Sequence, residues 1–402
     1  MKSYLELFRL HGALPIVIAG MLGRFPVAMS PLAIILVIAD RQGSFLEAGV
    51  VSAGFTLAGA VVGPQLARLA DSRGQRSVLL AVWPLHAAGM AGLIVAIVAG
   101  LALGWLITFA IVAGAMLPNL GVYTRARWAA LTDSPSVRHS ALSWETTSDE
   151  ASYVIGPALV GLITVAWDPI ACLGVGLLLT TAGIAILVTQ RSTEPRQVIA
   201  ATAPPVGISP LRTPGFVLLL AAFLATGGIF GSINVTLIAA ATDLGAEAAG
   251  GLLVSLFSLG SLIAGLVYGA VPVATSPLRR WLIAAGSFAA CTVPLLFLNQ
   301  SLPGLVVAVA LAGCVIAPTM IAGHSIVAAI VASDRRTEGF SWLSAFAALG
   351  ITLGSTLSGQ FIDDGQIAGG FWVLVGSATT AFVLALIAAV PLSRTPAADR
   401  VR

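Results

Sequence analysis

Arg24, Glu145, Asp149 and Glu150 lie inside long apolar runs, where an uncompensated charge is costly. Arg24 stands in Gly20-Met-Leu-Gly-Arg-Phe-Pro26, about eleven residues into the first run and so near mid-membrane at about 1.5 Å per residue. An isolated arginine there costs about 2.5–3.5 kcal/mol on insertion scales, so it requires an anionic partner or water. Glu145 and Asp149 are four apart and share a helical face with Ser152 and Gly156, whereas Glu150 points about 100° away. One arginine cannot neutralise three carboxylates. At least one of them is therefore expected to carry a proton part of the time, which is what proton coupling requires of a group whose exposure alternates between two sides. The plain structural alternative is a fixed Arg24–carboxylate pair that sets helix packing, with Glu145 hydrated near the inner surface.

The elements that position these groups follow from composition. Of 402 residues, 58% are hydrophobic and 9% charged, against about 25% charged in soluble domains, so the chain is an all-α membrane protein. Twelve apolar runs are long enough to cross a bilayer: 13–39, 46–68, 77–99, 101–124, 141–165, 169–190, 214–240, 247–271, 281–299, 302–331, 341–362 and 369–391. The first run is too long for a signal peptide and is expected to persist, with no soluble domain on either side of the bundle. Placing the N-terminus inside puts 18 of the 20 Lys and Arg residues on the cytoplasmic side, Arg125 and Arg127 among them. Both termini are then cytoplasmic, and the basic charge reflects orientation rather than nucleic-acid binding. The Ala- and Gly-rich, Lys-poor composition points to a bacterial inner membrane. Cys172, Cys291 and Cys314 fall inside apolar runs with no metal-ligand spacing, so no metal site is expected.

The chain is internally duplicated. Arg138/Arg336, Ser143/Ser341, Trp144/Trp342, Gly156/Gly354 and Gly161/Gly359 recur 198 residues apart, and Gly49/Gly251, Phe55/Phe257 and Gly63/Gly265 recur 202 apart. Where the first copy holds Glu145, Asp149 and Glu150, the second holds Leu343, Ala347 and Ala348. Two six-helix halves follow, 1–190 and 214–402, joined by a proline-rich cytoplasmic linker over 191–213.

After the second run the chain reads Ala67-Arg-Leu-Ala-Asp-Ser-Arg-Gly-Gln-Arg-Ser-Val-Leu79. Leu69, Ala70, Asp71, Gly74, Arg76 and Leu79 resemble the signature loop of the major facilitator superfamily, while Ala67, Ser72 and Gln75 depart from it. The resemblance implies a conformational gate built from Asp71, Arg73, Gly74 and Arg76. Asp71 would sit at the N-terminus of the eleventh helix near Ser341, as helix-dipole physics favours, and Arg76 would pair near the inner end of the fourth helix, with Asp133 a candidate. The run Tyr153-Val-Ile-Gly-Pro-Ala-Leu-Val-Gly161 partly resembles the Gly-Pro motif of superfamily antiporters, which marks Gly156 and Pro157 as a helix hinge.

The helices that line the cavity of that family make Asn119, Tyr123, Asn234 and His324 candidate cavity residues. His86 and the belt positions Trp128, Trp144 and Trp342 are expected to be structural. The family implies a secondary active transporter working by alternating access, with no cofactor beyond a proton gradient. The first reading is a proton-coupled exporter of a small hydrophobic or amphipathic molecule, acting as a monomer in the lipid bilayer. The alternatives are a proton symporter for a small organic anion, and a lipid flippase or non-transporting sensor on the same fold. An enzyme is not expected, since no Ser-His-Asp constellation, ligand pair or phosphate loop falls within one site.

Overall fold

The computed structural model describes residues 2–42, 45–132, 134–195, 209–271 and 275–394, and among these every regular element is helical. In the first half, α1 (Lys2–Arg9) precedes α2 (Ala13–Gln42), α3 (Phe45–Arg73), α4 (Gln75–Val98), α5 (Leu103–Ala115), α6 (Leu120–Leu131), α7 (Pro135–Ala166) and α8 (Pro169–Thr189). In the second, α9 (Phe216–Asp243), α10 (Glu247–Ala270), α11 (Pro277–Thr292), α12 (Leu302–Ile330), α13 (Arg336–Asp363) and α14 (Ile367–Arg394) follow.

Eleven segments among the described residues are long and apolar enough to span a bilayer, α5 and α6 counting together. The ninth expected run departs from the rest. Its helix, α11, is only 16 residues long and gives way to a tight turn over Val293–Leu296, because Pro294 removes a backbone donor and clashes with the preceding turn. The fourth run is also corrected: 101–124 is not one helix but two, broken over Met116–Asn119 beside Pro118, and its second piece extends to Leu131. Three starts move as well, since α7 begins at Pro135, α11 at Pro277 and α13 at Arg336, ahead of the expected 141, 281 and 341. Most of the expected linker, 196–208, lies outside the described residues, as does Asp133.

The apolar core shows how the halves sit together. At the arginine-rich end a single cluster joins Leu79, Tyr123 and Leu142 of the first half with Phe216, Phe223 and Phe340 of the second. Toward the opposite end the core divides. One cluster there belongs to α2–α8, around Ile34, Phe55 and Leu93, and another to α9–α14, around Ile233, Phe257 and Phe371. The halves meet through α3 with α13 and through α7 with α10.

The duplicated glycines explain part of this packing. Gly350 and Gly354 on α13 meet Leu224 and Gly228 on α9, Gly227 and Gly231 of α9 meet the α13 backbone at Ala347 and Ile351, and a Cβ on Gly350 would stand 1.9 Å from the Leu224 carbonyl oxygen. Only glycine permits that backbone approach, the small-xxx-small mode of helix association in lipid. In the first half, Gly156 of α7 instead meets the side chains of Ala28 and Met29 on α2.

Candidate functional site

The charged centre is assembled by three helices of the first half. Helix α7 presents Glu145 and Asp149 on one face, α2 supplies Arg24, and the short α6 supplies Thr124, Arg125 and Trp128. One Oε of Glu145 accepts from an Arg24 terminal nitrogen and, at 2.6 Å, from the Thr124 hydroxyl; the other accepts from the Trp128 indole N–H at 2.7 Å. Glu145 is 1% exposed. It is thus a saturated, buried anion, not a hydrated group near the surface. Asp149 accepts from Arg24 Nε at 2.6 Å through one oxygen and from Arg125 through the other. Its side chain is 31% exposed, so this carboxylate closes the cluster on its open side.

Two guanidinium groups reach one carboxylate only because α6 is bare between them. A Cβ on Gly121 would lie 2.8 Å from an Arg24 nitrogen and 3.3 Å from an Arg125 nitrogen.

Arg125 was the partner that sequence reading missed. Beyond its place among the cytoplasmic-side charges, it is buried and matches Arg24, so that two arginines face two carboxylates. Its place directly after the fourth apolar run, beside Thr124, was the available signal. Arg127 is buried at the same end, and it donates to Gln75 Oε1 at 2.8 Å, to the carbonyls of Leu187 and Gln190, and to the Thr193 hydroxyl. The departure Gln75 from the signature loop thus has a partner. Trp128, expected in an interfacial belt, is buried against Glu145.

Glu150 stands apart. It is 6% exposed and faces the Ser261 hydroxyl of α10 across the interface between halves. No cationic side chain among the described residues pairs with it.

The signature loop forms the closure at the arginine-rich end. Gly74 has φ +90°, a conformation that L side chains rarely adopt, and it turns the chain from α3 into α4. Asp71 accepts from the backbone N–H groups of Thr337 at 3.2 Å and Glu338 at 2.8 Å, in the first turn of α13. Arg76 donates its backbone N–H to Glu194 at 2.9 Å, and its side chain shares a surface cleft with Arg73 and Arg191. A second closure joins α7 to the end of α10: Ser140 donates to the Gly269 carbonyl at 2.7 Å, and His139 binds the Tyr268 carbonyl at 2.9 Å and Arg280 at 2.9 Å. Arg336 adds a bond to the Ala129 carbonyl. These hydrogen bonds between the halves gather at this end.

Of the remaining expected positions, Gly156 and Pro157 lie within the continuous α7, Gly156 buried and Pro157 exposed. Asn119 and Tyr123 line a cavity between α2, α3, α6 and α13. Asn234 and His324 do not line it. Asn234 is exposed and donates to the Phe230 carbonyl at 2.7 Å, while His324 is buried, binds the Met320 carbonyl and packs edge-on against Phe223. His86 binds the Ala113 carbonyl at 2.8 Å.

The architecture is a multi-pass bundle of two pseudo-symmetric halves, the first holding the buried arginine–carboxylate cluster, and its class is that of a membrane transporter. The family model described as Major Facilitator Superfamily matches residues 16–301 and 229–401, and the chain belongs to that superfamily. No curated protein sequence matches it. Solved structures share the fold at low identity. A bacterial homologue of the iron transporter ferroportin, in the outward-facing state, is similar with TM-score 0.78 and 14% identity, covering 94% of this chain and 99% of that one. The human organic anion transporter MFSD10 (TETRAN) gives 0.72 and 13%, covering 92% and 98%, and the E. coli fucose:proton symporter FucP gives 0.69 and 13%, covering 93% and 98%.

Proposed function

We propose that the chain is a proton-coupled exporter of a small, largely apolar molecule and that Glu150 is the group that binds and releases the proton. The observation that carries this reading is the contrast among the three carboxylates of α7. Glu145 and Asp149 are each met by arginine, so their charges are balanced in place. Glu150 is buried at the α7–α10 contact with only a hydroxyl before it. An unpaired charge in so dry a place is costly, so a carboxyl there binds a proton while the halves are closed and releases it when their movement admits water. Asp149, bridging two arginines at the open side, holds the cluster together through the cycle.

Export is supported by two features: the Gly156-Pro157 resemblance to antiporters, and arginines already occupied by carboxylates rather than free to hold an anionic solute. With the arginine-rich end in the cytoplasm of a bacterial inner membrane, the closed end faces inward and the structure is the outward-facing state of a chain acting as a monomer, its two halves joined by the 191–213 linker.

The test uses the purified chain in vesicles with an entrapped pH dye. Addition of neutral amphipathic compounds should move protons in the wild type, and Glu150→Gln should abolish that movement while retaining gradient-independent solute exchange. Full proton movement in Glu150→Gln would overturn the assignment, and accumulation of solute in the direction of proton entry would replace export by symport.

A further inference from the structure

Serine and threonine inside a buried helix commonly spend the O–H on a carbonyl one turn back. On α7, every other hydroxyl from Ser140 to Ser152 is bonded: Ser143, Thr146, Ser148 and Ser152 donate to carbonyls of their own helix, and Ser140 donates to the Gly269 carbonyl of α10. Thr147 is the exception. It is 6% exposed, and its buried Oγ1 makes no hydrogen bond among the described residues. Across the seam where the halves meet, Ser261 of α10 is fully buried, and its hydroxyl is equally without a bond.

Both hydroxyls belong to the surroundings of Glu150. Thr147 and Glu150 are three apart on α7 and share a face, as Ser261 and Gly265, four apart, do on α10. A Cβ on Gly265 would stand 2.7 Å from Thr147 Oγ1, and Ser261 stands before the Glu150 carboxyl without a hydrogen bond to it. Buried polar groups are normally satisfied, so an unpaired carboxyl flanked by two idle hydroxyls is fitted to something that all three can bind. A proton serves them only in part, because a protonated carboxyl has one O–H to give and leaves the second hydroxyl idle. A hard cation serves all three, since carboxylate and hydroxyl oxygens are the donors that such ions take. Its charge follows from the neighbours. Glu145 is bound by Arg24, and Asp149 by Arg24 and Arg125, so Glu150 is left as a single uncompensated anion at the seam. A monovalent ion balances it, whereas a divalent one would strand a positive charge.

We infer that Glu150, Thr147 and Ser261 form a binding site for a small alkali cation, Na+ or Li+, which takes the place of the proton on the carboxylate. The close approach of α7 and α10 at Gly265 favours these ions over larger ones. Because Thr147 and Glu150 come from the first half and Ser261 from the second, the site is complete only while the two helices are together. The bond from Ser140 to Gly269 lies about two turns away along the same seam. A bound cation therefore holds the halves in the arrangement seen here and leaves when they part. In taking Glu150 as its charge, the cation site rests on the contrast among the α7 carboxylates drawn above, and it adds an ion that competes with the proton there.

The probe is radioactive sodium, bound to the purified full-length chain at an ionic strength held constant with choline chloride. Saturable binding is expected, displaced by NaCl and LiCl and not by CaCl2. Glu150→Gln should abolish it, and Thr147→Val and Ser261→Ala should each weaken it about tenfold, the smaller end of what losing a group around a metal costs. The two hydroxyl replacements are close in size to the originals and add no charge, and unchanged thermal midpoints in choline chloride check that they fold. Absence of saturable binding in the wild type, its persistence in Glu150→Gln, or binding unchanged in both hydroxyl variants would overturn the site. The two readings of Glu150 fail separately. Solute-driven proton movement that requires Glu150, with no sodium binding, defeats only the cation site. Sodium binding that requires Glu150, with proton movement unchanged in Glu150→Gln, defeats only the proton assignment. Release of protons when NaCl is added to the weakly buffered wild type, and not to Glu150→Gln, supports both.

Discussion

At the scale of single residues, the charged centre is governed by balance. Arg24 and Arg125 face Glu145 and Asp149, and each of the four is anchored by more than one contact or by the helix that carries it. Removing one member of a buried pair leaves an uncompensated charge, at a cost of about 3–5 kcal/mol, whereas removing both costs less. Arg24→Gln should therefore lower the thermal midpoint of the purified chain strongly, and the double variant Arg24→Gln with Glu145→Gln should recover part of the loss. A double variant as unstable as the sum of the singles would show that the two side chains do not act as a pair. Trp128→Phe should cost about 1 kcal/mol through the lost bond to Glu145 alone. Sequence made Arg24 and the three acids legible because a charge inside an apolar run is conspicuous. Arg125, Arg127 and Trp128 were hidden because they lie near the end of a run, where topology and aromatic belts already account for such residues. Only the break at Met116–Asn119, which lengthens the fourth segment to Leu131, moves them inside.

At the scale of elements, the two halves use the same duplicated glycine differently. On α13, Gly354 would place a Cβ 2.1 Å from the Gly228 carbonyl oxygen, a backbone atom that cannot move without shifting α9. On α7, Gly156 would place one 3.0 Å from the Ala28 methyl. Gly354→Ala should accordingly destabilise by about 3 kcal/mol or more and Gly156→Ala by about 1 kcal/mol, the span expected of overpacking. Comparison of their thermal midpoints in one detergent checks the order, and an equal or reversed effect would mean that α9 and α13 are not locked by backbone contact. The repeat itself was readable from the sequence, and so were eleven of the twelve expected spans and most boundaries. Which copy forms the tight weld was not, because the partner helix does not carry the same residues: Gly228 stands on α9 at the contact, while α2 offers Ala28 and Met29. The Pro294 turn was missed for a related reason, since apolar content runs on unbroken through residues that do not continue the helix.

At the scale of the molecule, closure at the arginine-rich end depends on two contacts of different chemistry. In one, the Asp71 carboxylate accepts from two N–H groups that begin α13, so charge, dipole and hydrogen bonding act together. In the other, Ser140 and His139 of α7 reach the last carbonyls of α10, and Arg280 holds the far side of the imidazole. The cores at the opposite end are separate, so these contacts have no counterpart there among the described hydrogen bonds. On the proposed alternating-access reading, each contact biases the same two-state equilibrium, and their removal should add. A cap of the Asp71 kind is worth about 0.5–2 kcal/mol, and one conventional hydrogen bond about 1 kcal/mol. Asp71→Ala should thus shift the balance toward opening at that end by about tenfold, Ser140→Ala by about fivefold, and the double variant by close to the product, since 1.4 kcal/mol is a factor of ten. The readout is the alkylation rate of a single cysteine placed at Ala345 on the cavity wall, in a chain whose three native cysteines are replaced, with a reagent admitted from each side of the membrane in turn. Rates should rise from the arginine-rich side and fall from the other. A rise from both sides would mean that the variants loosen the bundle rather than tip it, and no change would mean that apolar packing of the shared core, not the two polar latches, holds the halves closed.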